Sequence, residues 1–215
     1  MNLKHYQQLK ENLGDQVSLC VVTKGRDSSE ILSFYELGER IFGENRVEEC
    51  IEKATTLPND IEWHFIGHLQ RNKIQKILPH ISVLESLDNY LLAEALEKEL
   101  EKRNETLKVY VEFHLALSDI HKSGFLKDEA NDCFKKLMSL PHLEVIGIMV
   151  MGPNTDDEEE IRSVFLEANE LFLRIQKKYP TVTTLSMGMS HDYPIAIECG
   201  ANHVRIGTYL FEEEI

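Results

Sequence analysis

Lys24 closes an apolar run, Val17–Val22, in which only Ser18 is polar, and Gly25 follows it. So short a run ended by glycine predicts a strand covered on both faces. In parallel α/β folds ligands bind where such strands stop. A primary amine in that place offers a nucleophile to a carbonyl compound. The alternative is a lysine whose flexible stem simply carries its charge from the core to water.

A second chemistry-bearing stretch is Leu185–Thr208, LSMGMSHDYPIAIECGANHVRIGT. It contains two expected strand ends, each followed by small residues: Ser186–Ser190 and Gly207–Thr208. Glycine lets backbone amides approach a ligand, and Ser190 and Thr208 add hydroxyls. Loops after the seventh and eighth strands of a barrel commonly hold phosphate. Ordinary helix capping by Ser190 and a plain turn at Gly207 are the competing readings. Arg205 lies within the eighth expected strand, where a buried guanidinium needs a ligand or a carboxylate beside it. An amine and a phosphate cup on one rim fit an aldehyde phosphate held as a Schiff base, of which pyridoxal 5′-phosphate is the commonest. An arginine at its pyridine nitrogen would keep that nitrogen unprotonated and weaken the ring as an electron sink.

The elements that must position these groups alternate along the chain. An opening helix over Leu3–Leu13 precedes strands near Val17–Thr23, Arg40–Gly43, Glu62–Ile66, Ser82–Glu85, Lys108–His114, Glu144–Met151, Thr183–Ser186 and His203–Ile206. Helices separate them. One, opened by the acids Asp156–Glu160 and closed by Lys177 and Lys178, follows the polarity of the helix dipole. Ser28 or Ser29 is expected to cap the helix carrying Ile31 and Leu32, and Asp88 or Asn89 the one carrying Leu92, Leu96 and Leu100. A basic helix through Arg71, Lys73 and Lys76 and another over Lys127–Leu140 are expected as well. Eight strands with no linker or shift in composition predict one (β/α)8 barrel spanning residues 1–215, with an extra N-terminal helix. An open doubly wound sheet is the competing architecture.

Composition narrows the partners. With 42% apolar and 28% charged residues the chain suits a globular fold, and a net charge of −14 opposes a nucleic-acid surface. The four scattered cysteines form no C-x-x-C pair and are expected as reduced thiols. MNLKHYQQLKENL carries no signal-peptide core and no stretch is long enough to span a bilayer, so a cytoplasmic protein is expected; a monomer is expected separately. No metal is expected. His64 and His68 have the i, i+4 spacing of a helical pair, but His64 falls in a strand and Gly67 breaks any helix. Ser190-His191-Asp192 has the residue types of a triad, yet consecutive residues cannot face one another as a triad requires.

The segments VVTKG, FGENRVEE (Phe42–Glu49), EWHFIGHLQRNK (Glu62–Lys73), HKSGF (His121–Phe125), LSMGMS and VRIGT resemble the pyridoxal phosphate homeostasis protein family over nearly the whole chain. The resemblance implies a barrel like the N-terminal domain of alanine racemase, with Lys24 as the Schiff-base lysine. It also implies phosphate contacts from Ser190, Gly207 and Thr208, and Arg205 facing the pyridine nitrogen. Asn45 and His64 match positions lining the family's cofactor pocket. Where the family has threonine-lysine-proline after its lysine, this chain has Gly25-Arg26-Asp27, which keeps a positive charge but loses the proline that stiffens the turn.

The function expected is a pyridoxal phosphate carrier that buffers the aldehyde and delivers it to apo-enzymes, without a reaction of its own. The alternative is an amino-acid racemase. Racemisation needs acid–base groups on both faces of the adduct. In the racemase fold the second comes from a further domain and a partner subunit, whereas this chain ends at the barrel. Tyr193 and Tyr209, near the cup, are the remaining candidates for that role, and Lys122 is a second lysine that could take the aldehyde.

Overall fold

The structure is a computed structural model that describes residues 1–116 and 123–211. Lys122, the second candidate lysine, lies outside the described residues. Eight parallel strands form a closed barrel in sequence order. They are β1 Ser18–Val22, β2 Ile41–Glu44, β3 Glu62–Phe65, β4 Val83–Leu87, β5 Leu107–Phe113, β6 Leu143–Val150, β7 Thr184–Ser186 and β8 His203–Ile206. Pairing of β1 with β8, Ser18 opposite His203 through Val21 opposite Ile206, closes the cylinder and excludes the open sheet.

The α-helices are α1 Leu3–Leu13, α2 Ser28–Glu36, α3 Val47–Thr56, α4 Ile74–Ile77, α5 Tyr90–Arg103, α6 Ala130–Leu137, α7 Glu158–Lys178, α8 Tyr193–Glu198 and α9 Thr208–Phe211. Helix α7 shows how sequence sets this layer. Ile161, Val164, Phe165, Ala168, Leu171, Phe172 and Ile175 are all buried on one face, and Asp157 caps the first turn through the amides of Glu159 and Glu160. Most buried apolar side chains form one contiguous core between the strands and the helices. The barrel's inside is different. A small apolar group of Val83, Tyr110 and Met149 fills part of it, and polar side chains fill the rest.

Several local expectations change. Asp27, not Ser28 or Ser29, caps α2: its carboxylate accepts from the amide of Glu30, and the Glu30 carboxylate accepts from the amide of Asp27. Of the two residues expected to cap α5, Asn89 does so, which leaves Asp88 buried with a hydrogen bond from His68 Nδ1 at 2.7 Å. The basic stretch splits into a 3-10 turn at Arg71–Lys73 and the short α4, with Pro79 in a further 3-10 turn. The segment before α6 is likewise 3-10, over Lys127–Glu129. Strand β4 runs on to Leu87, two residues beyond the expected end. All four cysteines are buried and free, and among the described residues no helix is long and apolar enough to cross a membrane.

Candidate functional site

The turn that carries Lys24 is held from beneath by a buried ion cluster. Arg26 N–H donates to Thr23 O at 2.9 Å, and Gly25 takes φ 71°, the left-handed value this type of turn asks of its third residue. Lys53, reaching up from α3, donates to Thr23 O at 2.7 Å and to Glu44 Oε1 and Glu49 Oε1 at 2.6 Å each. Glu49 Oε1 also accepts the Gly25 amide at 2.6 Å, and Glu44 Oε1 accepts the Thr23 hydroxyl at 2.6 Å. Burial pushes the Glu44 carboxyl up from its ordinary value, and the hydrogen bonds from Lys53 and Thr23 pull against that shift. One cluster thus fastens the residues on both sides of Lys24. The Lys24 side chain is exposed and has no hydrogen bond or ion pair among the described residues. The capping box at Asp27, with Arg26 stacked over Phe211 at 4.2 Å, stiffens the turn where the family's proline is missing.

Across the mouth, the loop from β7 to α8 meets the start of α9. Gly188 takes φ 97°, and a Cβ there would stand 2.6 Å from Ala196 Cβ; no other residue fits. Asp192 Oδ1 accepts the Met189 amide at 2.5 Å and pins the loop. Ser190 Oγ then accepts from the amides of Gly207, at 3.3 Å, and Tyr209, at 3.2 Å. Ser190 therefore joins the two expected halves of the cup rather than capping α8. A hydroxyl oxygen held by two backbone amides marks a place where amides converge on an acceptor, which is what a phosphate oxygen requires.

Arg205 points inward and is buried. Its Nη1 donates to Ser186 Oγ at 2.5 Å and its Nη2 to Val150 O at 3.2 Å. Ser186 passes its own proton toward Glu85 Oε2 at 2.6 Å, and Arg205 Nη1 is 3.9 Å from the same oxygen. Burial works against the charge of Glu85. The attraction and hydrogen bonds of His203 and His64 outweigh it and hold the carboxyl well below the usual carboxylate range. The ligand reading and the ion-pair reading of Arg205 thus meet in one residue, which borders a cavity while a carboxylate backs it.

That cavity, of about 300 Å³, opens at the C-terminal end of the strands and brings together Lys24, Asn45, Ser190, Arg205, Gly207 and Thr208. His64 is not among its lining residues, and this corrects the expectation. Strand alternation turns His64 into the barrel one layer lower, where Nδ1 donates to Glu85 Oε1 at 2.6 Å. Two residues along the same inward row, Ile66 reaches the cavity instead. Sequence reasoning also missed Gly67, Met151, Met189 and His191 as lining residues; the parity of each strand beyond its last apolar residue is the signal for Ile66 and Met151. Gly67 is needed there because a Cβ would lie 2.4 Å from Asn45 O. Tyr193 and Tyr209 do not line the cavity. Tyr193 is buried and accepts from Asn12 at 3.1 Å, and Tyr209 stacks on His5 at 4.5 Å.

The model of the alanine racemase N-terminal domain family matches residues 3–214. A pyridoxal phosphate homeostasis protein of Aquifex aeolicus is 38% identical over 185 residues, 85% of this chain and 81% of the relative. PipY of Synechococcus elongatus, solved with pyridoxal phosphate bound, is 32% identical and superposes with a TM-score of 0.88 over 97% of this chain and 99% of that one. Its structure without the cofactor gives a TM-score of 0.91, at 33% identity over 99% of this chain and all of that one. Alanine racemase of Clostridium difficile shares the fold alone: the TM-score is 0.81 at 15% identity, over 99% of this chain and 55% of that chain. By its match across the barrel and its identity to these relatives, the chain belongs to the pyridoxal phosphate homeostasis protein family.

Proposed function

We propose that the chain binds pyridoxal 5′-phosphate covalently on Lys24 and serves cofactor homeostasis, buffering the aldehyde and handing it to apo-enzymes. The observation that carries this reading is the single cavity shared by the Lys24 amine and the Gly207–Thr208 amides. Pyridoxal phosphate supplies an aldehyde that condenses with a primary amine, and a phosphate that anchors it. The residues present suit both ends. Gly207, Thr208 and Ser190 would hold the phosphate, as backbone amides and hydroxyls already converge there. Arg205 would face the ring nitrogen as a permanent donor, fixed by Ser186 and Glu85. Asn45 lines the same cavity and would stand beside the bound cofactor. The unit proposed is one barrel, residues 1–215, acting as a monomer in the cytoplasm.

The names of the relatives support a homeostasis role over catalysis. Apart from Lys24 and Arg205, His191 is the one titratable side chain among the described residues that line the cavity, and it is exposed. The test has two arms. Borohydride reduction of the loaded protein, followed by peptide mapping, is expected to mark Lys24 and to yield nothing in Lys24→Ala; a label at another lysine sinks the assignment. Alanine incubated in deuterated water with the loaded protein is expected to exchange its α-proton no faster than with free cofactor. Faster exchange that disappears in Lys24→Ala would establish the racemase alternative.

A further inference from the structure

Four side chains with metal-binding donors converge inside the barrel, one layer below Arg205. Cys20 on β1, His64 on β3, Glu85 on β4 and His203 on β8 are all buried, and one donor atom from each lies within 4.8 Å of the others. Two nitrogens already aim at one oxygen: His64 Nδ1 stands 2.6 Å and His203 Nε2 3.0 Å from Glu85 Oε1. The two imidazoles stack with centroids 5.5 Å apart and planes 19° from parallel. Among the described residues no other group of three or more such side chains comes this close.

We propose that this cluster is a divalent transition-metal site, with Cys20 Sγ, His64 Nδ1, His203 Nε2 and Glu85 as ligands and zinc(II) as the ion it suits. One thiolate, two imidazoles and one carboxylate are the donors zinc takes; calcium and magnesium take oxygen alone. With Zn–N near 2.0 Å and Zn–S near 2.3 Å, the atoms of a tetrahedral set with one sulfur stand about 3.3–3.5 Å apart. The observed separations, 2.6 and 3.0 Å at the short end and within 4.8 Å at the long end, bracket that range. On binding, the Cys20 thiol proton leaves to water, and each imidazole moves its one N–H proton to the outer ring nitrogen. The thiolate and the ionised Glu85 then balance the two charges of the ion, and Arg205, 3.9 Å from Glu85 Oε2, is left as the one positive charge beside the site.

A route exists for the ion. A second cavity, of about 340 Å³, opens at the N-terminal face of the barrel, and both His64 and His203 line it. Asp15 and Glu62 stand at its rim with Lys108. Ser186 orients the carboxylate from the far side through Glu85 Oε2, the supporting hydrogen bond that metal ligands commonly keep. The sequence shows no zinc spacing because the ligands come from four strands, Glu85 lying 21 positions after His64 and His203 118 positions after Glu85.

The experiment uses the full chain, stripped by a chelator and free of pyridoxal phosphate, titrated with cobalt(II) alone and then zinc(II) alone. One equivalent of cobalt is expected, with a near-ultraviolet thiolate-to-cobalt band and strong visible bands of a tetrahedral ion, and zinc should bleach both. Cys20→Ser, checked for folding by circular dichroism, should lose the thiolate band and about 100-fold or more in zinc affinity, beyond the usual loss for a supporting residue. Lys24→Ala should bind metal as the wild type does, which separates this outcome from that of the cofactor reading. If wild-type protein gives no thiolate band, or Cys20→Ser binds zinc as tightly as wild type, the cluster is a hydrogen-bonded core and no metal site. His203→Gln gives an independent check: unchanged zinc affinity in a folded His203→Gln protein also overturns the proposal.

Discussion

Lys24 was legible because it breaks an apolar strand at the end where ligands bind. Lys53, the residue that holds its turn, was not. In sequence Lys53 is one charge among several on an amphipathic helix, and only the approach of α3 to the end of β1 buries it. Removing one partner of a buried ion cluster leaves the others uncompensated. Lys53→Met is therefore expected to destabilise the protein by about 3–5 kcal/mol, measured by urea unfolding, and Lys53→Met/Glu44→Gln to recover part of that loss. Glu112 makes the opposite kind of prediction. Burial, and next the nearby Asp88, push its carboxyl up to about 7; Ser123 donates to it at 3.3 Å, and Arg205 and His68 pull the other way. The folded state thus binds a proton that the unfolded state releases, so this group's contribution to stability is full below pH 4.5 and lost as pH rises toward 7. The loss is up to about 3 kcal/mol. Glu112→Gln should abolish it, so the difference in urea midpoint between Glu112→Gln and wild type should grow between pH 5 and pH 8. A constant difference would place Glu112 among ordinary carboxylates.

At the scale of elements, runs of apolar residues marked every strand, and β8 and α1 begin and end where the sequence reading put them. Helix starts were harder. Ser28 and Ser29 are good capping types, but so is Asp27, and only Glu30 three residues later tells them apart through the reciprocal capping box. That box belongs to the site as well as the helix, since it lies three residues from Lys24. Asp27→Ala should cost about 1 kcal/mol of stability and weaken cofactor retention, whereas Asp27→Asn, which still caps, should change both little. The inward row of each strand was the least legible feature. Polar residues at the inside of a barrel look in sequence like strand ends or surface positions, and for His64 the family resemblance alone pointed to the cofactor cavity. Its contact with Glu85 depends on the register of β3 against β4, where His64 pairs with Val83, and no local pattern encodes that.

The whole molecule puts a cation-bordered cavity at one end of a barrel whose net charge is −14. An anionic ligand is held against that field by a few directed groups, so binding must show as a stability gain confined to the folded state. At a ligand concentration about 100 times the dissociation constant, that gain is about 2.7 kcal/mol. For a barrel of this size each kcal/mol raises the melting temperature by about 2–4 °C, so saturating pyridoxal 5′-phosphate should raise Tm by about 5–10 °C. The contributions of amine and cup can be told apart by varying the ligand. Pyridoxine 5′-phosphate keeps the phosphate and lacks the aldehyde, and should give a smaller rise that is the same in wild type and Lys24→Ala. Pyridoxal, with the aldehyde and no phosphate, should give a small rise that Lys24→Ala removes. If the full rise with pyridoxal 5′-phosphate survives in Lys24→Ala, the amine is a bystander and the cup alone binds. If inorganic phosphate at equal concentration reproduces it, the cavity recognises the anion and not the cofactor.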